Sequence, residues 1–321
     1  MAEQYTYAVA RIHATEASLL TLKDLEQVLL SKDEEEAVRI LADKGFSGFG
    51  NYKNVEKLLS EEREKTVELI SKLLPDSREF DVFLYADDFH NLKAAIKALF
   101  SGERDGIYLN GGTVDVEEIK TAVKEKNFSA LPECMAQAAE ETVSTLAKTG
   151  DGQLADIIID RAALEKIYES GQKSDNEILR NYSELFVALS DLKIAARGVK
   201  MKKSSDFFKK AFADCKTLDT ERLSVAAAKG EDELFEYLSF TPYSECVEVI
   251  KKSYTDFEKW CDNKIMALMA QQKGNPFTIA PIAAYYYARE TEMKAVRMVL
   301  SGVINKLDEN LIKERLRDLY V

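Results

Sequence analysis

The sequence predicts an all-α protein. Apolar residues recur at helical spacing through almost the whole chain, legible start and stop signals separate the runs, and no segment alternates with period two. A short internal repeat adds to this. Ala295-Val-Arg-Met-Val-Leu-Ser301-Gly302 reads almost residue for residue like Ala95-Ile-Lys-Ala-Leu-Phe-Ser101-Gly102, and a blunter copy, Ala195-Ala-Arg197-Gly-Val199, lies between them. Lys97, Arg197 and Arg297 therefore recur every 100 residues. Such a long period predicts several similar lobes and favours a geometric scaffold over an enzyme cleft.

The elements follow in order. Leu19, Leu22, Leu25, Val28 and Leu29 form the first clear apolar stripe; Ser31-Lys-Asp-Glu34 has the form of a capping box, and Ala37, Val38, Ile40 and Leu41 continue behind it. Gly45 is placed to end that helix in the left-handed conformation. Val55, Leu58, Leu59, Val67, Ile70, Leu73 and Leu74 make a long amphipathic helix that Pro75 stops. Asp76-Ser-Arg-Glu79 is then expected to cap a helix carrying Phe80, Phe83, Leu84, Leu92, Ile96 and Leu99 and ending at Gly102. Residues 101–115, rich in Gly and polar side chains, read as an exposed loop and a lobe boundary.

Asp115-Val-Glu-Glu118 reopens a helix, Pro132 suits a helix first turn, and Thr149-Gly-Asp-Gly152 is a turn. Ile157, Ile158, Leu164 and Ile167 return to the helical period. Ser174-Asp-Asn-Glu177 should cap the helix of Leu179, Tyr182, Phe186, Leu189 and Leu192, which runs into Arg197. The basic passage 200–205 reads as a second boundary, so the expected lobes are 1–110, 111–204 and 205–321, with approximate limits. Gly230 marks a break, and Pro242 and Pro276 fit helix starts. The last two helices are expected from Phe277 and from Asp308, the latter capping a face of Leu311, Ile312, Leu316 and Leu319.

Composition restricts function. With 321 residues, 46% hydrophobic and 31% charged, the chain has the make-up of a folded globular protein. Its formal charge of −12 lacks the Lys/Arg excess that phosphate neutralisation requires, so nucleic acid is excluded as an expected partner. Cys134, Cys215, Cys246 and Cys261 are scattered, with neither CxxC nor nearby His, and read as reduced core thiols rather than disulfides or metal ligands. The N-terminus has no basic n-region followed by an apolar h-region, which argues against export. The most apolar stretch, Phe277 to Ala288, falls far short of the roughly twenty residues of a membrane span, and Pro281 interrupts it.

The candidate chemistry is thin. His90 beside Asp87 and Asp88 could be a general-base pair, but no nucleophile motif accompanies it; His13 reads as a surface residue. Gly45-Phe-Ser-Gly48-Phe-Gly50 fails both the nucleophile-elbow and the Walker patterns. The acidic runs at 33–36, 61–62 and 140–141 read as solvated helix faces and first turns, and Asp151-Gly-Gln-Leu-Ala-Asp156 does not place calcium ligands. Tyr285-Tyr-Tyr287 reads as packing surface. No catalytic, cofactor or metal site is expected. The cations of the repeat helices stand out more, because Arg binds carboxylates bidentately across interfaces; Arg11, Lys97, Arg197, Arg297, Arg315 and Arg317 are the partner-interface candidates, with ion pairs inside the molecule as the alternative.

Tyr5-Thr-Tyr7-Ala-Val-Ala-Arg11, then Glu16 and Leu19-Leu20, resembles the opening of the C subunits of bacterial and archaeal V-type or A-type ATPases, the counterparts of the eukaryotic d subunit. Asp88-Phe-His-Asn91-Leu-Lys93, Glu290 with Arg297, and Ile312-Lys-Glu-Arg-Leu-Arg-Asp-Leu-Tyr320-Val321 resemble the same family, so the likeness spans the chain. The resemblance implies a three-lobed helical funnel with pseudo-threefold repeats, without catalytic activity. It implies a central-stalk subunit, one copy per complex, on the cytoplasmic face of the membrane, seated on the proteolipid ring, receiving the axle subunits and coupling ATP hydrolysis or synthesis to proton or sodium transport. A helical scaffold unrelated to rotary ATPases is the alternative the residues leave open.

Overall fold

The computed structural model describes residues 5–46, 55–74, 76–101 and 107–321, and every regular element among them is helical. The chain begins with α1 (Thr6–Glu16), α2 (Leu22–Leu29), α3 (Glu34–Asp43) and α4 (Val55–Leu73). A 3-10 stretch, Ser77–Phe83, leads to α5 (Tyr85–Ser101) and α6 (Val116–Glu125); a second, Phe128–Ala130, leads to α7 (Glu133–Thr149), α8 (Gly152–Lys173) and α9 (Glu177–Lys200). Then come α10 (Ser205–Ala211), α11 (Thr220–Lys229), α12 (Glu231–Ser239), α13 (Cys246–Lys252), α14 (Tyr254–Ala270), α15 (Ala280–Ile304) and α16 (Glu309–Arg315). The chain divides into two compact units, one of Met1–Ser77 with Thr255–Val321, the other Arg78–Tyr254.

The first unit is built around α15, which buries residues on nearly every side, as a helix surrounded by others must. Leu25 and Val28 of α2, Ala37 and Leu41 of α3, Leu59 of α4 and Ile312 of α16 pack with Val296, Val299 and Leu300 of α15. Each fully buried Leu, Ile or Val contributes roughly 1.5–3 kcal/mol. The helix starts are locally encoded, though not always where expected. Thr21 and Asp24 form the reciprocal capping box of α2. At the expected box, Ser31 instead donates to the Val28 carbonyl at 2.6 Å, closing α2, and Asp33 caps α3 by accepting from Glu36 N at 2.9 Å. Gly45, at φ 97°, ends α3 as expected.

In the second unit, Phe89, Leu92 and Ile96 of α5 pack with Ile119 and Val123 of α6, Met135 and Ala139 of α7 and Ile159 of α8. The long helices α8 and α9 fold back on one another across a three-residue connector. Gly171 lets them approach, since a Cβ there would stand 2.2 Å from Ser183 Oγ. Several expected helix limits are corrected. The helix expected from Phe80 is a 3-10 stretch that becomes α5 only at Tyr85. Ser174 accepts from Asn176 N at 3.1 Å, a local turn rather than a cap of α9, and Asn176 turns its amide to Glu79. Pro242 lies in a turn before α13, and Pro276 in a turn before α15, whose first turn holds Pro281. Pro75, Gly48, Gly50 and Gly102 lie outside the described residues.

The internal repeat is sharpest at two helical elbows. After Gly198 on α9, Lys202 takes a left-handed φ of 52°, Lys203 N donates to the Gly198 carbonyl at 3.0 Å, Ser204 caps α10, and Phe208 packs on Gly198. After Gly302 on α15, Lys306 takes φ 52°, Leu307 N donates to the Gly302 carbonyl at 2.9 Å, Asp308 caps α16, and Ile312 packs on Gly302. Corresponding positions lie 104 residues apart, not 100.

Candidate functional site

The 104-residue register corrects the equivalence expected of the cations. Arg197 stands one residue before its elbow glycine and Arg297 five before, so the counterpart of Arg297 is Lys193. The slip is one helical turn. Residues four apart share a helix face, so a sequence comparison displaced by four still matches apolar with apolar.

Four of the six interface candidates are engaged within their own unit. Lys97 Nζ lies 2.8 Å from Asp156 Oδ1 on α8. Arg297 grips Glu56 of α4 with both arms of its fork, at 2.9 and 2.8 Å. Arg317 Nε donates to Asp262 of α14 at 3.0 Å, and Arg197 Nε donates to the Tyr254 hydroxyl at 3.1 Å while its guanidinium lies 5.4 Å from that ring's centre. Arg11 on α1 and Arg315 on α16 are exposed and have no ion pair among the described residues. The alternative of internal pairing is thus realised at Lys97, Arg297 and Arg317, whose partners sit on other helices.

The second unit carries a groove of about 600 Å³ between α5, α8, α9 and α10, floored by Phe89, Ile157, Ile167 and Phe186. Lys93, Lys193 and Arg197 stand on its rim with Asp156 and Asp160. Lys93 pairs with Asp160, so the acids there are already engaged by α5 lysines.

Sequence reading missed a buried charge network in the first unit. Arg289, directly after the apolar run of α15, donates through Nη2 to Glu62 of α4 at 3.0 Å and through Nη1 to Glu292, whose other oxygen accepts from Leu20 N. Its guanidinium lies 5.1 Å from the centre of the Phe46 ring. Burial pushes the Glu292 carboxyl above its ordinary range, while Arg289 and the Leu20 amide pull it back. Beside it Arg63 donates to Glu290 at 2.6 Å and to the Tyr286 hydroxyl at 3.0 Å. The signal was present: Arg289 and Glu292 are three apart and directly follow the apolar stretch of α15, and charged residues are buried only when paired.

The general-base pair that His90 could have formed with Asp88 does not assemble. His90 Nε2 lies 2.9 Å from the Ile107 carbonyl, while Asp88 accepts from Thr113 Oγ1 at 2.6 Å and Val114 N at 3.0 Å. Asn91 exchanges two hydrogen bonds with Leu109, so this turn of α5 holds the backbone of 107–114. Gly112 is required there, since a Cβ would stand 2.0 Å from Asp88 Oδ1. Burial raises the Asp88 carboxyl despite these donors. His13 Nδ1 lies 2.7 Å from Glu16. Among the described residues no group of three or more His, Cys, Asp or Glu is placed to hold a metal ion. The four cysteines are free; Cys246 and Cys261 are buried, and burial pushes the Cys246 thiol up to about 12. Tyr285 and Tyr286 are buried in the first unit's interior, as packing residues. No helix of the described residues is long and apolar enough to cross a membrane.

Comparison with known proteins supplies what the geometry alone does not. The sequence matches the profile of the family described as ATP synthase (C/AC39) subunit over residues 8–315. It is 24% identical over 318 residues to the V-type sodium ATPase C subunit of Enterococcus hirae, covering 96% of this chain and 97% of that protein. It is 24% identical over 350 residues to the A-type ATP synthase C subunit of Methanocaldococcus jannaschii, covering 99% of this chain and 86% of that one. The A-type ATP synthase C subunit of Thermococcus kodakarensis is 22% identical over 328 residues, covering 97% and 89%.

Proposed function

The chain belongs to the ATP synthase (C/AC39) subunit family and is therefore an accessory, non-catalytic subunit of a membrane-associated rotary ATPase; from this we propose that it is the central-stalk adaptor, linking the axle to the membrane proteolipid ring. In this role it transmits torque, one copy per complex, on the cytoplasmic face, so that ATP hydrolysis or synthesis on other subunits is coupled to proton or sodium transport. The observation that carries the reading is the family match from residue 8 to residue 315.

Rigidity is what the role requires. The buried, close-packed apolar helices within each unit favour parts that turn without deforming. We read the repeats as three related lobes, near 1–110, 111–204 and 205–321, that enclose a socket for the axle; the paired elbows at Gly198 and Gly302 support the relationship of the last two. Arg11 and Arg315, exposed and unpaired among the described residues, are the first choices for contacts with partner subunits, followed by Lys97, Arg197, Arg297 and Arg317. The decisive experiment reconstitutes the ATPase with and without this chain and compares ATP-driven ion transport with ATP hydrolysis. Transport per ATP should collapse without it; coupling unchanged by its absence, or a purified chain that binds neither axle nor ring subunits, overturns the assignment.

A further inference from the structure

The hairpin of α11 and α12 presents a second surface, distinct from the cations discussed above. Its two helices, ten and nine residues long, are joined at Gly230, whose φ of 141° only glycine adopts readily. Between them runs a groove of about 910 Å³. Phe240 at its end is 86% exposed and Val225 on its wall 46% exposed, although the neighbouring Leu223, Leu234 and Leu238 are buried. The hairpin has therefore filled its own core and still holds an aromatic and a branched side chain in water.

The rim carries Asp219, Glu221, Glu233 and Glu236 against Arg222 and Lys229. Arg222 already lies 3.9 Å from Asp219, and Glu221, Glu233 and Glu236 have no ion pair among the described residues. First-turn positions stabilise Glu221 and Glu233 on their helices, and the same placement puts their charge at the groove's edge. A ten-residue helix wall spans about 15 Å, the length of nearly three turns of an opposing helix. Resting on the reading that the chain is one subunit of a larger ATPase assembly, we propose that this groove docks a basic amphipathic helical segment of another subunit. Phe240 and Val225 meet its apolar face, and the unpaired carboxylates meet its Lys or Arg residues.

The test uses the full chain and ATPase complex purified from cells lacking it. Phe240→Ser, Val225→Ser and the double change Glu233→Lys, Glu236→Lys alter exposed residues, and each variant's helicity and Tm are checked against the unaltered chain. The unaltered chain should bind with an affinity that falls as salt rises, and the serine variants and the charge reversal should each weaken binding by about tenfold or more. A photo-crosslinker at position 240 should capture a Lys- or Arg-rich helical segment of a partner. Binding by the unaltered chain that all the variants retain overturns the groove and leaves the rotary reading standing, whereas no binding by the unaltered chain removes both. Tighter binding after charge reversal, or a crosslink to an acidic segment or to a second copy of this chain, also overturns the proposal.

Discussion

Asp191 and Arg289 show how single buried charges set the behaviour of the fold. Asp191 is fully buried on α9; one oxygen accepts from Ala213 N at 3.2 Å, and the other has no partner. Burial raises its carboxyl well above the ordinary range, and the neighbouring Asp214 adds to the shift. Since the folded-state value exceeds the unfolded one of about 3.9, its favourable contribution is complete at low pH and is lost as pH rises through the folded value. Asp191→Asn keeps the acceptor for Ala213 and removes the ionisation. Urea unfolding at a series of pH values should show the wild type losing stability relative to the variant from about pH 4 upward. Arg289 acts through its partners. Replacing it by Ala leaves Glu292 buried without its cation, while Glu62 keeps Lys65 at 2.8 Å, and the expected loss is about 3–5 kcal/mol in urea unfolding at pH 7.

At the scale of elements, the elbows after α9 and α15 share a design but not a tolerance. A Cβ on Gly198 would lie 2.4 Å from the Phe208 ring, a side chain wedged between helices, whereas one on Gly302 would lie 3.0 Å from Ile312 Cγ1. Gly198→Ala should therefore destabilise by about 1–3 kcal/mol through overpacking. In Gly302→Ala a smaller clash is set against the roughly 1 kcal/mol gained in helix propensity, so its Tm should stay within a few degrees of the wild type. Thermal unfolding of the two variants side by side checks the contrast. Capping shows what a sequence can reveal. Asp115 and Asp308 act as expected because a cap is decided within three residues; Ser31 does not, because the preceding helix uses its hydroxyl first.

For the whole molecule, the distribution of charge separates holding from reaching. The Lys97–Asp156 pair is largely exposed, so Lys97→Ala should cost less than about 1 kcal/mol, less still at high salt. Arg11 and Arg315 belong to no ion pair within the described residues. Their replacement by Ala should leave unfolding free energy within about 0.5 kcal/mol, yet weaken binding of the purified chain to axle or ring subunits; retention of full binding by both variants would remove them from the interface.

Legible in the sequence were the all-helical class, many helix limits, the shortness of its apolar stretches, matched by the lack of a long apolar helix among the described residues, and the resemblance that led to the family. These are decided by short-range periodicity, by caps and by the order of motifs along the chain. Tertiary structure alone decided where the charges go. His90 turned to the Ile107 carbonyl rather than to Asp88, Arg297 to Glu56, and Arg289 to Glu62, because each of these partners lies at least 17 residues away and only packing brings it near. The repeat's register was likewise decided by packing. Side-chain likeness favoured a 100-residue spacing, but the elbows, with Phe208 against Gly198 and Ile312 against Gly302, align at 104.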